Sequence, residues 1–211
     1  MANHFSQLAK KSRTNGSSEK IAKEQTDKPS LDIYKLGDDV LRQNSKRITK
    51  VDESIRKLAR EMLQSMYAAK GIGLAAPQIG TSLKLFVVDR HPVLEEDEEK
   101  YGVMVFINPE IVEKKGKNIP MDEGCLSIPD IREKVFRPET IVIRYKDEYF
   151  EEREQEFSGW MARIIQHEFD HLNGVLFIDY LSSFRKRMVK ADLQEIDSGN
   201  IEVEYPIVAR G

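Results

Sequence analysis

Apolar residues recur at helical spacing in two stretches of this 211-residue chain. The first stretch covers residues 53–69, and its apolar positions are Ile55, Leu58, Ala59, Met62, Leu63 and Met66. Spacings of three and four residues place these side chains on one helical face, with Asp52 as a suitable N-cap and Gly71 as a terminator. The second stretch covers residues 158–172 and ends at Gly174. Both patterns predict helices, and we expect the first to pack on a sheet.

Shorter apolar runs predict strands around these helices. Ile141, Ile143 and Tyr145 alternate with polar neighbours, as in a half-buried antiparallel strand. The predicted strands cover residues 31–36, 83–88, 103–107, 110–114, 131–136, 140–145 and 175–177. A charged C-terminal helix is predicted over residues 182–196, and its inward-facing residues are Phe184, Met188, Val189 and Leu193. These elements predict an α+β fold: mixed, mainly antiparallel strands packed around a central helix, with one helix in the N-terminal half and one at the C-terminus.

Composition narrows the class of protein. With 40% hydrophobic residues, 33% charged residues and a net charge of −3, the chain gives no electrostatic reason to expect direct sequence-specific nucleic-acid binding. No apolar run approaches the roughly 20 residues of a membrane span, so no membrane partner is expected. The single cysteine, Cys125, excludes an internal disulfide and fits a reducing compartment. We expect a cytoplasmic protein, or one of an organellar stroma or matrix if its N-terminus is a transit segment.

The chain divides into three parts by composition. Residues 1–30 are polar and predict a flexible extension outside the core. Residues 31–181 contain most of the predicted strands and helices, and we expect them to form one folded domain. Residues 182–211 are predicted to be a C-terminal helix and tail.

The segment Gln166-His167-Glu168-Phe169-Asp170-His171 carries the clearest chemical signal. Four residues turn an α-helix by about 400°, so His167 and His171 lie one above the other on the same face. This spacing suits two nitrogen ligands on one divalent metal ion, and Glu168 lies where it can handle the protons of a water molecule. The central predicted helix is therefore a metal-binding helix.

A catalytic metal site usually has three protein ligands and one open position. No histidine follows His171, so a third downstream histidine is excluded. A downstream glutamate remains an alternative, although Glu195, Glu202 and Glu204 lie in a highly charged tail. Cys125 is the better candidate, because Gly124 before it permits close approach by another part of the chain.

Three segments together resemble peptide deformylases. They occur in the family's order and are Gly71-Ile72-Gly73-Leu74-Ala75-Ala76-Pro77-Gln78, Glu123-Gly124-Cys125-Leu126-Ser127 and His167-Glu168-Phe169-Asp170-His171. The resemblance extends from about residue 31 to residue 180. It implies a hydrolase that removes the formyl group from the N-terminal formyl-methionine of newly made polypeptides and releases formate. The implied metal ligands are Cys125, His167 and His171.

The resemblance also implies how the reaction is divided among residues. Glu168 would accept a proton from water and deliver it to the departing amine. The side-chain amide of Gln78 and the backbone N–H of Leu126 would stabilise the negative charge that develops on the formyl oxygen. Ferrous iron is the implied ion in many bacterial members, whereas zinc, nickel or cobalt would also suit these ligands.

Further residues are candidates for binding the substrate. Ile72 and Ile164, with the stem of Glu123 and the ring of His167, are expected to line an apolar slot for methionine. The substrate backbone is expected to add as a strand beside Ile72–Gly73 and Gly124. Arg137 matches the family's partner of Glu123. Arg163 is predicted near the rim of the pocket, either contacting the third substrate residue or solvated.

The resemblance leaves the C-terminal segment and two other functions open. In some family members a C-terminal helix docks on the ribosome, and the basic residues that suggest this here are Arg185, Lys186, Arg187 and Lys190. A solvated helix face is the alternative. An endopeptidase that shares the two-histidine helix would not need Cys125, and a non-catalytic metal-binding module would not need Glu168.

Overall fold

The protein is built on a five-stranded antiparallel sheet in which the strands follow one another in chain order. A computed structural model describes residues 31–89 and 102–208, so the predicted extension at residues 1–30 lies outside the described residues. The strands are β1 (Gly73–Ala75), β2 (Leu85–Val88), β3 (Met104–Cys125), β4 (Ile128–Lys146) and β5 (Glu152–Ser158). The α-helices in the described residues are α1 (Glu53–Ala68), α2 (Gly159–His171), α3 (Ser183–Met188) and α4 (Lys190–Ser198). The predicted α+β class is confirmed.

Helix α1 has the boundaries and the buried face that its sequence pattern predicts. The Asp52 carboxylate accepts hydrogen bonds from the backbone N–H groups of Ser54 and Ile55, at 3.1 and 3.4 Å. These bonds satisfy two of the donors that the first turn leaves unpaired. The buried residues of α1 are Ala59, Met62, Leu63, Ser65 and Met66.

The sheet is packed between α1 and α2, and β2 shows how its side chains are divided. Leu85 and Val87 belong to the apolar cluster that includes α1, whereas Phe86 and Val88 belong to the cluster that includes α2. Successive side chains of a strand point to opposite faces, so a wholly apolar strand fits between two helices. The second cluster packs one face of α2, the helix with the two histidines, against the sheet.

Strands β3 and β4 form a long hairpin that ends at the predicted cysteine segment. Their last paired residues are Cys125 and Ile128, which leaves Leu126 and Ser127 in the turn. The strands predicted at 103–107, 110–114, 131–136 and 140–145 lie in this hairpin, but they are parts of two long strands and not four separate ones. Register shifts, including one between Ile107 and Glu110, absorb the polar interruptions without ending the strands.

Several weaker sequence patterns also predict the wrong elements. Residues 31–36 form an isolated parallel bridge, Ile33 with Ile207, and residues 175–177 lead into a 3-10 helix at Phe177–Tyr180. The predicted C-terminal helix is two helices, because the chain leaves helical geometry at Val189. Phe184 and Met188 are 60% and 61% exposed, so the prediction that they face inward is wrong, whereas Val189 and Leu193 pack against the core.

Strands β1 and β5 are not evident from the sequence. The first lies in a run of small residues that is typical of a loop, and the second is almost entirely polar because most of its side chains are exposed. None of the described helices is both long enough and apolar enough to cross a membrane.

Candidate active site

Helix α2 and the β3–β4 turn bring the three predicted metal ligands together. The rings of His167 and His171 have centroids 5.1 Å apart, and Cys125 Sγ lies 3.2 Å from His171 Nε2. One donor atom from each residue lies within 4.8 Å of the others. A thiolate and two imidazoles this close together form a ligand set that can bind one divalent ion. His171 Nδ1 has no hydrogen-bond partner among the described residues.

A buried carboxylate orients the first histidine. Glu123 Oε2 lies 2.9 Å from His167 Nδ1, which leaves the other ring nitrogen, Nε2, for a metal ion. Arg137 donates to both oxygens of Glu123 at 2.7 and 2.9 Å, and Arg163 donates to Oε1 at 2.8 Å. Burial alone would raise the pKa of Glu123, but the bonds from His167 and Arg137 outweigh it and hold the pKa well below its usual range. The predicted pairing of Glu123 with Arg137 is confirmed.

Glu168 is buried next to the smallest residue of β1. A Cβ atom on Gly73 would lie 2.8 Å from Glu168 Cδ and 2.9 Å from Cγ, so only glycine leaves room for this carboxylate. Its Oε2 has no hydrogen-bond partner among the described residues. Burial raises the pKa of Glu168 to about 7. A carboxyl group in this state can both accept and return a proton near neutral pH.

Gln78 is held in one orientation by its neighbours. It lies in a 3-10 helix at Ala76–Ile79 and is 1% exposed. Its Oε1 accepts the backbone N–H of Ala75 at 2.8 Å, which fixes the amide so that Nε2 donates to Ser127 Oγ at 3.2 Å and to Cys125 Sγ at 3.4 Å. The amide donor therefore points toward the ligand cluster. Gln78 is therefore a buried amide, not one on the surface.

Gln78, Cys125, His167 and Glu168 line a cleft of about 860 Å³. The remaining predicted substrate residues all line it, and they are Ile72, Gly73, Glu123, Gly124, Arg163 and Ile164. Leu126 also lines the cleft, and its side chain closes against Gly71, where an added Cβ would lie 2.8 Å from Leu126 Cδ1. The three sequence segments thus meet around a single cavity.

Arg163 is not solvated, contrary to one of the two alternatives that its sequence position suggests. It is 3% exposed, and besides Glu123 it donates to the backbone carbonyls of Val135 and Ile119, at 2.8 and 2.6 Å. Five donors in a planar fork suit this role, because one arginine can satisfy several buried acceptors.

Sequence reasoning missed the contribution of the C-terminal tail and of Ser127. Glu202, Val203, Glu204 and Tyr205 line the cleft, although their segment has no apolar periodicity that would suggest a place in the fold. Neither glutamate joins the metal-ligating cluster found in the described residues. Ser127 stands beside the predicted ligand Cys125, but its bond to Gln78 depends on contacts between distant parts of the chain.

Comparisons with known proteins agree with this site. Residues 30–187 match the family model described as polypeptide deformylase. A peptide deformylase of Prochlorococcus marinus strain AS9601 is 59% identical over 200 residues, covering 93% of this chain and 98% of the relative. One from Salinibacter ruber is 48% identical over 185 residues, covering 85% and 95%. The crystal structure of a peptide deformylase from Synechococcus elongatus in complex with actinonin has 41% identity and a TM-score of 0.72, covering 88% of this chain and 97% of that one. The chain belongs to the peptide deformylase family.

Proposed function

We propose that Cys125, His167 and His171 hold the metal ion with which this enzyme removes the formyl group from N-terminal formyl-methionine. The observation that carries the proposal is their cluster of donor atoms in a cleft that also contains Glu168, whose buried Oε2 has no hydrogen-bond partner within residues 31–89 and 102–208. When bound, a divalent ion supplies Lewis-acid chemistry, lowering the pKa of a water molecule so that hydroxide is available near neutral pH. The substrates are newly made polypeptides that begin with formyl-methionine, and the products are formate and a free amino terminus.

Glu168 is the proton carrier in this proposal. A water oxygen adds to the formyl carbon while Glu168 accepts a proton from that water. The bond between the formyl carbon and the nitrogen then breaks, and Glu168 gives the proton to the departing nitrogen. One carboxylate performs both transfers, and no net proton is gained or lost by the enzyme.

Gln78 and Leu126 stabilise the charge that forms on the formyl oxygen. Hydrogen-bond donors that are already oriented act strongly here, because they need no reorganisation as the charge develops. The amide of Gln78 is oriented by Ala75 and Ser127 before substrate arrives. The backbone N–H of Leu126 is the second donor, in the turn that follows the cysteine ligand.

The apolar slot for methionine is formed by Ile72 and Ile164, with the stem of Glu123 and the ring of His167. All four residues line the cleft. The backbone of the substrate adds as a strand beside Gly73 and Gly124. Strand β1, which begins at Gly73, is at the edge of the sheet and has β2 on one side only. Main-chain pairing at such an edge would accept many different residues after the methionine.

Ferrous iron is the metal that we propose for the working enzyme, although zinc, nickel and cobalt fit the same donors. The iron-loaded enzyme should turn over faster than the zinc-loaded enzyme and should lose activity in oxygen, through oxidation of the metal or of Cys125. Equal rates for iron and zinc preparations made without oxygen would contradict this choice.

The catalytic domain is proposed to comprise residues 31–181, between an N-terminal extension at 1–30 and a C-terminal segment at 182–211. The enzyme is proposed to work in the cytoplasm, or in an organellar stroma or matrix if the extension is a transit segment.

Contact with the ribosome is proposed through the basic residues of α3 and α4. Arg185 is paired with Glu133, whereas Arg187 and Lys190 are exposed. We therefore propose Arg187 and Lys190 as the contact residues, and replacing both with Glu should abolish co-sedimentation with ribosomes at low salt. Association that persists would refute the contact.

Formate release from a formyl-methionyl peptide tests the catalytic proposal. Glu168→Ala should lose turnover and retain its metal, whereas Cys125→Ala should lose the metal itself. Full turnover in either variant would contradict the assigned role. An endopeptidase would instead cleave internal peptide bonds and tolerate Cys125→Ala, and a non-catalytic module would release no formate.

A further inference from the structure

The C-terminal tail is tied into the fold beside the active site. The backbone of Ile33 pairs with the tail, donating to the carbonyl of Pro206 at 3.0 Å and accepting from the N–H of Val208 at 3.0 Å. Lys35, which is 1% exposed, donates from Nζ to the carbonyl of Val208 at 2.6 Å. A buried ammonium group is costly unless it is hydrogen-bonded, so this contact fixes where the tail runs.

The same segment, residues 33–36, is also hydrogen-bonded to the 3-10 helix and the turn that carry the proposed oxyanion donors Gln78 and Leu126. The backbone N–H of Tyr34 donates to the carbonyl of Gln78 at 2.8 Å, and that of Leu36 donates to the carbonyl of Ser127 at 2.8 Å. The tail, this segment, the 3-10 helix and the turn therefore form one continuous hydrogen-bonded layer on one side of the cleft.

Tyr205 completes this layer at the turn that carries Leu126. Its hydroxyl donates to the backbone carbonyl of Leu126 at 2.8 Å, across 79 positions of sequence. Tyr205 and Leu126 are both partly buried and pack against the same apolar cluster, so the phenol ring is held as well as its hydroxyl. Leu126 therefore directly follows Cys125, a candidate metal ligand, and its own carbonyl is held by the hydroxyl of Tyr205.

We propose that Tyr205 is a positioning residue for deformylation, which holds Leu126 so that its N–H faces the formyl oxygen. The inference rests on the proposed function, in which Leu126 is an oxyanion donor. A donor stabilises charge only where it is already correctly oriented, and a small displacement weakens it. The C-terminal tail is then part of the active site, and its contribution acts on the chemical step more than on substrate binding.

Tyr205→Phe tests the inference, because it removes one hydroxyl and keeps the ring. We expect kcat for a formyl-methionyl peptide to fall about tenfold, a fraction of the roughly 10²–10³-fold that loss of a whole donor costs. KM should stay within about twofold and the metal content should not change, because the ring that lines the cleft is kept and the hydroxyl bonds to the Leu126 carbonyl, not to a proposed metal ligand. Tyr145→Phe is the matched control, since it removes a buried hydroxyl from a residue outside the cleft and should leave kcat unchanged.

A backbone ester at Leu126, in which oxygen replaces the N–H, separates the two assignments. If the ester retains full kcat, the proposed donor role of Leu126 is wrong. If the ester lowers kcat but Tyr205→Phe does not, the donor role stands and the inference about Tyr205 is overturned. The inference also fails if Tyr205→Phe lowers kcat further when added to the ester, because its effect would then not pass through the Leu126 N–H. A loss in Tyr205→Phe that appears only in KM, or only as unfolding at the assay temperature, overturns it as well.

Discussion

Gly73 and Glu168 are in direct contact in the lining of the cleft, and the contact exists because residue 73 has no side chain. The Glu168 carboxylate occupies the volume that a Cβ on residue 73 would take. Strand β1 therefore packs directly against the side chain of Glu168, the proposed proton carrier on helix α2. A left-handed backbone conformation is not the requirement here, since Gly73 is not among the glycines with positive φ.

Gly73→Ala should therefore impair catalysis more than folding. The added methyl group must displace the Glu168 carboxylate, and a shift of about 1 Å at a reacting group can lower the rate by roughly 10²-fold. We expect kcat to fall by about that factor while metal content is retained. Gly159→Ala is the control, because its position is open but has φ of 59°, so it should reduce thermal stability and leave kcat unchanged. Wild-type kcat in Gly73→Ala would show that Glu168 can move without cost.

Glu123→Gln should weaken metal binding. The carboxylate orients His167 through Nδ1, and loss of such a partner typically lowers metal affinity by about 10–100-fold. Competition with a chelator measures this directly. Glu133 is the cross-strand neighbour of Glu123 and is itself a buried carboxylate paired with an arginine, Arg185. Glu133→Gln should lower the free energy of unfolding without changing metal affinity; equal metal loss in both variants would point to a general effect of unfolding.

Arg163→Met should act on stability. The substitution leaves Glu123 short of one donor and removes the donors to the carbonyls of Val135 and Ile119 inside the protein. Breaking a buried charge pair on one side typically costs about 3–5 kcal/mol. Denaturant unfolding should report a loss of that order, with KM for formyl-methionyl peptides nearly unchanged in the folded enzyme. Arg144→Met, which breaks an ion pair with Glu154 in which both side chains are about half exposed, should cost much less. A large rise in KM with normal stability would instead support a contact between Arg163 and the substrate.

The parts of this protein that local sequence determines could be predicted closely. Helix α2 ends within a residue of its predicted limits at both termini, because helical periodicity needs only neighbours along the chain. The same periodicity places His167 and His171 on one face. The third member of the cluster, Cys125, comes from a different element, and its choice over a downstream glutamate needed the motif around it.

The elements that could not be predicted depend on contacts between distant residues. Strand β5 is polar along almost all its length, and only its pairing with β4 makes it a strand. The bond from Tyr205 to Leu126 likewise follows from the path of the tail, which is set by Ile33 and Lys35 near the other end of the described chain. Residues 200–208 have no apolar periodicity from which that path could be predicted.

Ser127→Ala should show how much the orientation of Gln78 contributes. Ser127 is fully buried and accepts the Gln78 Nε2 donor at 3.2 Å. Its removal replaces a good acceptor by Cys125 Sγ alone, which is a weak one, and a buried donor that loses its acceptor costs up to about 1–3 kcal/mol. We expect a loss of stability in that range and a kcat several-fold lower, because the amide can rotate away from the formyl oxygen. Ser45→Ala is the matched control, since Ser45 Oγ is buried with no partner among the described residues and its removal strands no donor. If the two variants have the same kcat, Ser127 does not orient Gln78 for catalysis.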